Sequence, residues 1–460
     1  MAMSPGSAPP LARIYVPVGQ IGYGFPESSL ERARGWKPDL IAADAGSTDP
    51  GPSYLATGKS FTSRAMVKRD IGLLLPVARQ LGIPLVIGTA GGSGAAPHLA
   101  WALDILREVA AEARLSARVA VIEAEPDRAY LERKLAAGEI VDFEAGRELT
   151  AADLAACEHV VAQMGLEPIA DALAAGAEVV LAGRAFDAAL PAALPIERGV
   201  DPGVAWHMGK ILECGSLVAL PRASDGVLAE VYADHFVIEP ADPEKRCTVE
   251  TVAAHTLYEK SDPYTLSLPG GKLDVRNAVF ARVDDRSVRV SGSRFVPSGE
   301  YFVKLEGAAL AGYRSICIAG TRDPIMIDHL DDVLARARLK IANDLAGSVG
   351  DSDYQLLFRV YGRDGVMAGR EPYNGPPPHE LGLVIEVIGK TQEVADTVCA
   401  LARSATLHLG YEGRMATAGN LAFPYSPAEF PAPPAYEFRV YHLMRVDDPR
   451  EPFRTRWETL

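Results

Sequence analysis

Over the first 220 residues, short apolar runs alternate with longer segments of helical period, and no other feature of the chain constrains its fold as strongly. The runs are ARIYVPV (12–18), DLIAAD (39–44), PLVIGT (84–89), RVAVIEA (118–124) and EVVLAG (178–183). Strands separated by helical segments are the pattern of a parallel sheet with crossover helices. Each run is followed by polar or glycine-rich residues, at 19–24, 45–52, 90–94, 125–127 and 184–187. Ligands of open α/β sheets sit beyond the carboxyl ends of the strands, so these five loops are expected to converge on one crevice.

From about residue 225 the pattern changes. GVLAEVYADHFVIEP, NAVFARVDDRSVRVSGSRF and EYFVKLEG alternate apolar and polar residues, as half-buried antiparallel strands do. The last third reads as strand YRSICIAG, helix 323–345, strands YQLLFRVYG and LGLVIEVIG, helix 391–408 and strand YEFRVYHLMRV. This βαββαβ order is that of a ferredoxin-like unit. The expectation is an α/β chain: a parallel-sheet ligand-binding domain over 1–225, an antiparallel β-rich α+β segment over 226–310, and a ferredoxin-like domain over 311–460. The proline-rich GPPPHE and FPAPPAY are read as loops.

At 460 residues the chain exceeds the roughly 250–300 at which single cores stop growing. A net charge of −14 and the lack of a basic run exclude a nucleic-acid footprint. Five scattered cysteines with no CxxC pair exclude a disulfide framework and a zinc ribbon. The N-terminus lacks a basic region followed by an apolar one, and later apolar runs are broken by Arg79, Gln80 and Pro84. A cytoplasmic protein without a membrane span is expected, acting as a homo-oligomer on a small molecule.

The segment 201–216, DPGVAWHMGKILECGS, is a helix on whose wheel Val204, Met208, Ile211, Leu212 and Gly215 form the core stripe. Trp206, His207, Lys210, Glu213 and Cys214 fall on the other side. A solvated face rarely carries Trp and Cys, so this second face is expected to line a cleft or an interface. A cysteine beside Lys210 and His207 has the setting of a thiolate nucleophile, which Glu213 opposes. The competing reading makes Lys210 and Glu213 surface charges and Cys214 a small buried filler.

The strand 39–44 delivers Asp44 to the sheet edge, and the turn after it presents Ser47, Thr48 and Asp49 to the crevice. Alternatively, Ser47 and Asp49 satisfy their own loop. Gly91, Gly92, Ser93 and Gly94 offer free N–H groups to an anion at the start of the helix opened by Pro97. Arg184 could clamp a carboxylate or pair with Asp187. Nine histidines show neither HExxH nor HxH, and His255 is expected to turn away from the apolar face of a helix over 249–259.

Several of these stretches together resemble the acyclic terpene utilisation family, AtuA. The likeness lies in IAADAGSTDPGPSYLATG, GTAGGSG, GRAFDAALPAA, WHMGKILECGS, DHFVIEP and AAHTLYEKSDPYTLSLPGGKLD, in that order, and it extends to FPYSP and YEFRVYHLMRVDDP. The resemblance implies an N-terminal α/β domain and a C-terminal ferredoxin-fold domain. It also implies a place in the breakdown of acyclic terpenoids and other branched carboxylic acids, beside thioester-processing enzymes. Some relatives carry or accompany an additional small domain, so a small accessory polypeptide is an expected partner.

The expected activity is lyase or hydratase chemistry on a small branched or terpenoid carboxylate or its CoA thioester. It needs an acid or base among Asp44, Asp49 and Glu213, with Lys210 or a divalent metal as the polarising cation. The metal ligands are unassigned, and the cofactor choices are a divalent metal or the CoA of the substrate itself. Two readings stand beside it: Cys214-dependent acyl transfer or thioester hydrolysis, and a non-catalytic ligand-binding or scaffold subunit.

Overall fold

Each of the five apolar runs forms a strand in the computed structural model: Ala12–Val16, Leu40–Asp44, Leu85–Gly88, Arg118–Glu123 and Val179–Ala182. The structure describes residues 9–144, 146–373, 375–376, 378–415 and 420–460; residues 1–8 and Pro377 of the GPPPHE linker lie outside them. The five strands pair in parallel, with Val179–Ala182 between Leu85–Gly88 and Arg118–Glu123. Side chains alternate across a strand, so each run feeds two cores at once. Ile14, Leu40, Val86, Ile122 and Val180 face helices Ala189–Glu197 and Pro202–Leu212, through Leu190, Met208 and Ile211. Tyr15, Ile41, Ile87, Val121 and Leu181 face helices Glu27–Trp36, Arg64–Leu81 and Ala96–Ala113, through Leu30, Leu74 and Leu106. Each such apolar side chain contributes about 1.5–3 kcal/mol by leaving water.

The sheet continues beyond its parallel centre. Val227–Val231 pairs antiparallel with Ala12–Val16, and His235–Pro240, Val288–Ser291 and Val279–Arg282 follow outward. At the opposite edge Arg454–Thr459 pairs antiparallel with Arg118–Glu123, completing ten strands. The protein is therefore a mixed α/β protein built on a large mixed sheet. Thr265–Leu268, Gly271–Asp274 and Arg294–Pro297 make a separate three-stranded sheet.

The chain divides into two compact units, 1–309 with 438–460, and 310–437. In the second, Leu381–Gly389 lies between Tyr354–Tyr361 and the 313–321 end of Tyr301–Thr321, both antiparallel to it. Helices Leu330–Leu345 and Gln392–His408 supply Val333, Ile341, Val398 and Cys399 to a core with Cys317, Leu383 and Ile385. Two separate sequence runs, EYFVKLEG and YRSICIAG, are here one continuous strand. Among the described residues no helix is long and apolar enough to cross a membrane, and all five cysteines are free.

Candidate functional site

The strand-end loops of the first unit touch one another. A Cβ on Gly46, after Leu40–Asp44, would lie 1.9 Å from the carbonyl oxygen of Gly92. Gly94, at φ +73, would bring a Cβ to 2.2 Å from the Arg184 nitrogen. Only glycine allows this approach of backbone to backbone. Thr89 opens the 89–94 loop at φ 49, a left-handed conformation that a β-branched residue adopts only when its surroundings compel it. They do: the Ala185 N–H donates to Thr89 Oγ1 and the Thr89 hydroxyl donates to the Ala185 carbonyl, both at 3.3 Å.

These contacts seat Asp44 and Asp187 at the sheet edge beside helix Pro202–Leu212, which brings Lys210 and, just past its end, Glu213. Asp201 caps the helix by accepting from the N–H of Gly203 at 2.8 Å, and Pro202 opens it. Lys210 Nζ donates to Glu213 and, at 3.1 Å, to Glu259. One carboxylate oxygen from each of Asp187, Glu213 and Glu259 lies within 4.8 Å of the others. Three carboxyls around one ammonium cannot all be ionised without strong repulsion. Burial and then the Asp187 charge push the Glu213 carboxyl well above the usual carboxylate range, outweighing Lys210. Burial pushes Asp187 up as well, but the Glu213 hydrogen bond and the Lys210 charge outweigh it and hold Asp187 low. Of the two, Glu213 is the one whose surroundings favour the protonated form, and its interaction with Asp187 helps to hold Asp187 ionised. Burial lowers Lys210, but its hydrogen bond to Glu213 and the charges of Asp187 and Glu259 outweigh it, so the ammonium stays charged.

Asp44 joins this cluster electrostatically. Burial and Asp187 push its carboxyl well above the usual range, and its Oδ1 is buried with no partner among the described residues. Ser93, fully buried, has a hydroxyl in the same condition. Cys214 lies against Gly19 of the first loop. Burial above all, with its acidic neighbours, pushes its thiol up to about 12 against Lys210, so it is a thiol at neutral pH.

Other side chains expected at the site are committed elsewhere. Every residue of 203–212 is buried, so the second face of this helix lines no open cleft. Gly203 packs on the backbone of strand Arg294–Pro297, and Trp206 packs edge-on against Phe186, 5.8 Å between ring centres. His207 sits between Thr256 and Ser293. The Thr256 hydroxyl donates to the Val252 carbonyl, so His207 Nε2–H donates to Thr256 Oγ1 at 3.0 Å and Nδ1 accepts from Ser293 Oγ at 2.6 Å. Burial, with Lys260 and His255 nearby, lowers His207 to about 3. Ser47 and Asp49 close their own turn, the Ser47 hydroxyl donating to Asp49 Oδ2 at 2.9 Å and the Asp49 N–H to Ser47 Oγ at 3.2 Å. The helix over 249–259 ends at His255, which is buried and stacked on Tyr258, not turned outward.

Both positions expected to take a ligand's anion hold a glutamate of the protein. Arg184, buried, donates from Nε to Glu306 Oε2 at 2.7 Å. Glu306, fully buried, also accepts from Thr48 Oγ1 at 2.7 Å and Lys304 Nζ at 2.8 Å. At the N-terminus of Ala96–Ala113, the Ala96 N–H donates to Glu125 Oε2 at 2.9 Å, and Glu125 Oε1 also pairs with His159 at 2.8 Å. Gly91, Gly92 and Gly94 act in the structure as close-approach points between loops.

Asp187, Glu213 and Glu259 are the one group among the described residues with the spacing of a metal site. Lys210 bonds two of the three, Glu213 and Glu259, so a divalent ion there would compete with its ammonium for those carboxyl groups. Glu259, Glu306 and Lys304 were not legible as site residues. Glu259, at φ 56, lies in a segment that reads as the end of a helix, and Lys304 and Glu306 are the outward positions of an alternating strand. The one available signal was position: Glu306 directly precedes Gly307, Ala308 and Ala309, small residues that let other elements close over it.

No curated protein and no solved structure matches the chain. The model of the acyclic terpene utilisation family protein AtuA matches residues 64–420, taking in the loops of Gly91–Gly94 and Arg184–Asp187, the helix with Lys210, and Glu259 and Glu306. With more than three quarters of its length matched, the chain belongs to the AtuA family.

Proposed function

We propose that this protein is a catabolic enzyme of acyclic terpene utilisation that moves a proton on a small branched or terpenoid carboxylate or its CoA thioester, in lyase or hydratase chemistry. The observation that carries this reading is the cluster of Asp187, Glu213 and Glu259, one oxygen of each within 4.8 Å of the others and Lys210 bonded to two of them, in surroundings that lower Asp187 and raise Glu213. Environments that push two carboxyls apart in acidity assign a base and an acid. Asp187, half-buried and ionised, takes a proton from the carbon beside the carbonyl. Glu213 gives its proton to the departing oxygen, and Lys210 steadies the charge between them.

Solvent exchange tests the proton step without knowledge of the product. Branched acids and their CoA thioesters are incubated in D2O with the protein, and deuterium next to the carbonyl is read by mass spectrometry. Wild type is expected to exchange at least one of them. Asp187→Asn is expected to be about 10²–10⁴-fold slower, the usual worth of a general base. Full exchange by a folded Asp187→Asn protein refutes the assignment.

One observation favours a second reading, a ligand-binding or scaffold subunit: Glu306 and Glu125 occupy the expected anion positions. A chain that neither exchanges nor binds alone, but supports turnover when a partner polypeptide is added, fits that reading. The Cys214 nucleophile is disfavoured because burial pushes its thiol up to about 12, leaving little thiolate at neutral pH. The strand order Tyr354–Tyr361, Leu381–Gly389, Tyr301–Thr321, Glu429–Val446 supports reading the end of the chain as ferredoxin-like.

A further inference from the structure

The second unit holds a cavity of about 610 Å³ at the end of strand Tyr301–Thr321, faced by residues 420–424. Its size falls among small-molecule sites, roughly 300–1,000 Å³. Its walls are chiefly apolar, with Ile318, Leu421 and Phe423 lining it.

The polar groups there divide into engaged and free. The Tyr411 hydroxyl lies between Asp323 Oδ2, at 3.0 Å, and Asn420 Oδ1, at 2.8 Å. Asp323 Oδ1 accepts from the Ile325 N–H at 3.0 Å, and Asn420 Nδ2 donates to the Leu407 carbonyl at 3.1 Å. Both side chains are thus fixed as parts of the wall. Thr321 lines the cavity, is 4% exposed, and its hydroxyl has no partner among the described residues. Arg322 also lines it and has no carboxylate partner among the described residues. A buried donor without an acceptor costs stability, and an unpaired guanidinium is ready to take a carboxylate in two parallel bonds.

We infer that this cavity binds a small amphipathic carboxylate, its apolar chain along Ile318, Leu421 and Phe423 and its head group on Arg322, with the Thr321 hydroxyl as the remaining donor. Glu380, exposed and unpaired among the described residues, is the opposing charge at the same cavity. The sign of the head group is therefore what an experiment must read. The inference stands apart from the proton-transfer site, since every residue in it belongs to 310–437.

The full chain is titrated by calorimetry with octanoate, 1-octanol and octylamine, which share a chain and differ in charge, and hydrogen exchange locates the bound state. Octanoate is expected to bind saturably and to slow exchange in 318–323 and 420–424. Octanol is expected to bind about tenfold or more weakly, since a bond to a charged group is lost, and octylamine not at all. Arg322→Gln, at an exposed position, is expected to reduce octanoate to the octanol level, and Ala422→Phe to abolish both by filling the cavity. Octylamine binding as tightly as octanoate overturns the inference. So does octanoate binding unchanged by Arg322→Gln, protection confined to 1–309, or no saturable binding.

Discussion

Replacing Arg184 by methionine keeps most of the side-chain volume and removes one of two cations that hold Glu306 ionised. Glu306 is 0% exposed, and its carboxylate accepts from Arg184 Nε, Lys304 Nζ and Thr48 Oγ1. Burial pushes this carboxyl up, yet Arg184 and Lys304 outweigh burial and bring it from 4.5 down to about 2. At 1.36 kcal/mol per pH unit that displacement is worth about 3 kcal/mol, and breaking a buried pair costs about 3–5 kcal/mol. Lys304 and Thr48 remain in the variant, so the lower end applies and Arg184→Met is expected to lose about 3 kcal/mol at pH 7. The folded carboxyl is the more acidic one, so its stabilisation is complete above about pH 4.5 and disappears as the pH falls from there toward 2. The wild-type advantage is therefore expected to shrink across that window. Urea unfolding followed by circular dichroism at pH 7, 5 and 3 measures both effects. Arg184→Met/Glu306→Gln, which removes the fully buried carboxylate and leaves only the half-buried Lys304 without its partner, is expected to recover part of the loss. A single variant within about 0.5 kcal/mol of wild type at pH 7, or a double variant less stable than the single, refutes the argument.

The neutral His207 makes a second pH prediction. Its folded value of about 3 lies below the ordinary 6.5, so its contribution is complete above pH 6.5 and is lost as the pH falls toward 3. Unfolding measured from pH 7 to 4 is expected to steepen by up to about 1.4 kcal/mol per pH unit relative to His207→Gln, and equal slopes would exclude a neutral imidazole between Ser293 and Thr256. For Cys214, burial and its acidic neighbours raise the thiol to about 12, so alkylation by iodoacetamide is expected to be negligible at pH 7 and to climb through pH 10. Cys214→Ser is expected to retain the exchange activity that Asp187→Asn loses. Fast labelling at pH 7 together with an inactive, folded Cys214→Ser would restore the thiolate reading.

The apolar runs and the residues after them were legible because both signals are local. A strand buried on two faces leaves a dense apolar string, and a sharp exit leaves Gly, Pro, Ser and Asp, which is why Asp44 and the Gly91–Gly94 loop could be placed at the sheet edge. The helix wheel over 201–216 was less informative. It set Val204, Met208 and Ile211 against Trp206, His207 and Lys210, but all six are buried and Trp206 joins the same core cluster as the first three, because periodicity does not say what covers the second face. Gly203 packed on strand Arg294–Pro297 turns that face inward, making His207 a structural bridge while leaving Lys210 and Glu213 in the charged cluster. The strand Arg454–Thr459 was missed for a related reason. Its sequence is polar, and only pairing with Arg118–Glu123 gives it a place in the sheet.

The sequence by itself determined the α/β ground plan, the loops that meet at the strand ends, the acidic and cationic side chains available there, and the family. These follow from hydrophobic period, turn chemistry and ordered motifs, each contained within a few neighbouring residues. Only the tertiary structure decided which charges meet. Arg184 faces Glu306 across 122 positions, Thr48 reaches the same carboxylate across 258, and Lys210 bridges Glu213 and Glu259. Whether a carboxyl is base, acid or internal counter-ion depends on its burial and on the sign of what lies within a few ångströms, and neither is a property of the linear chain.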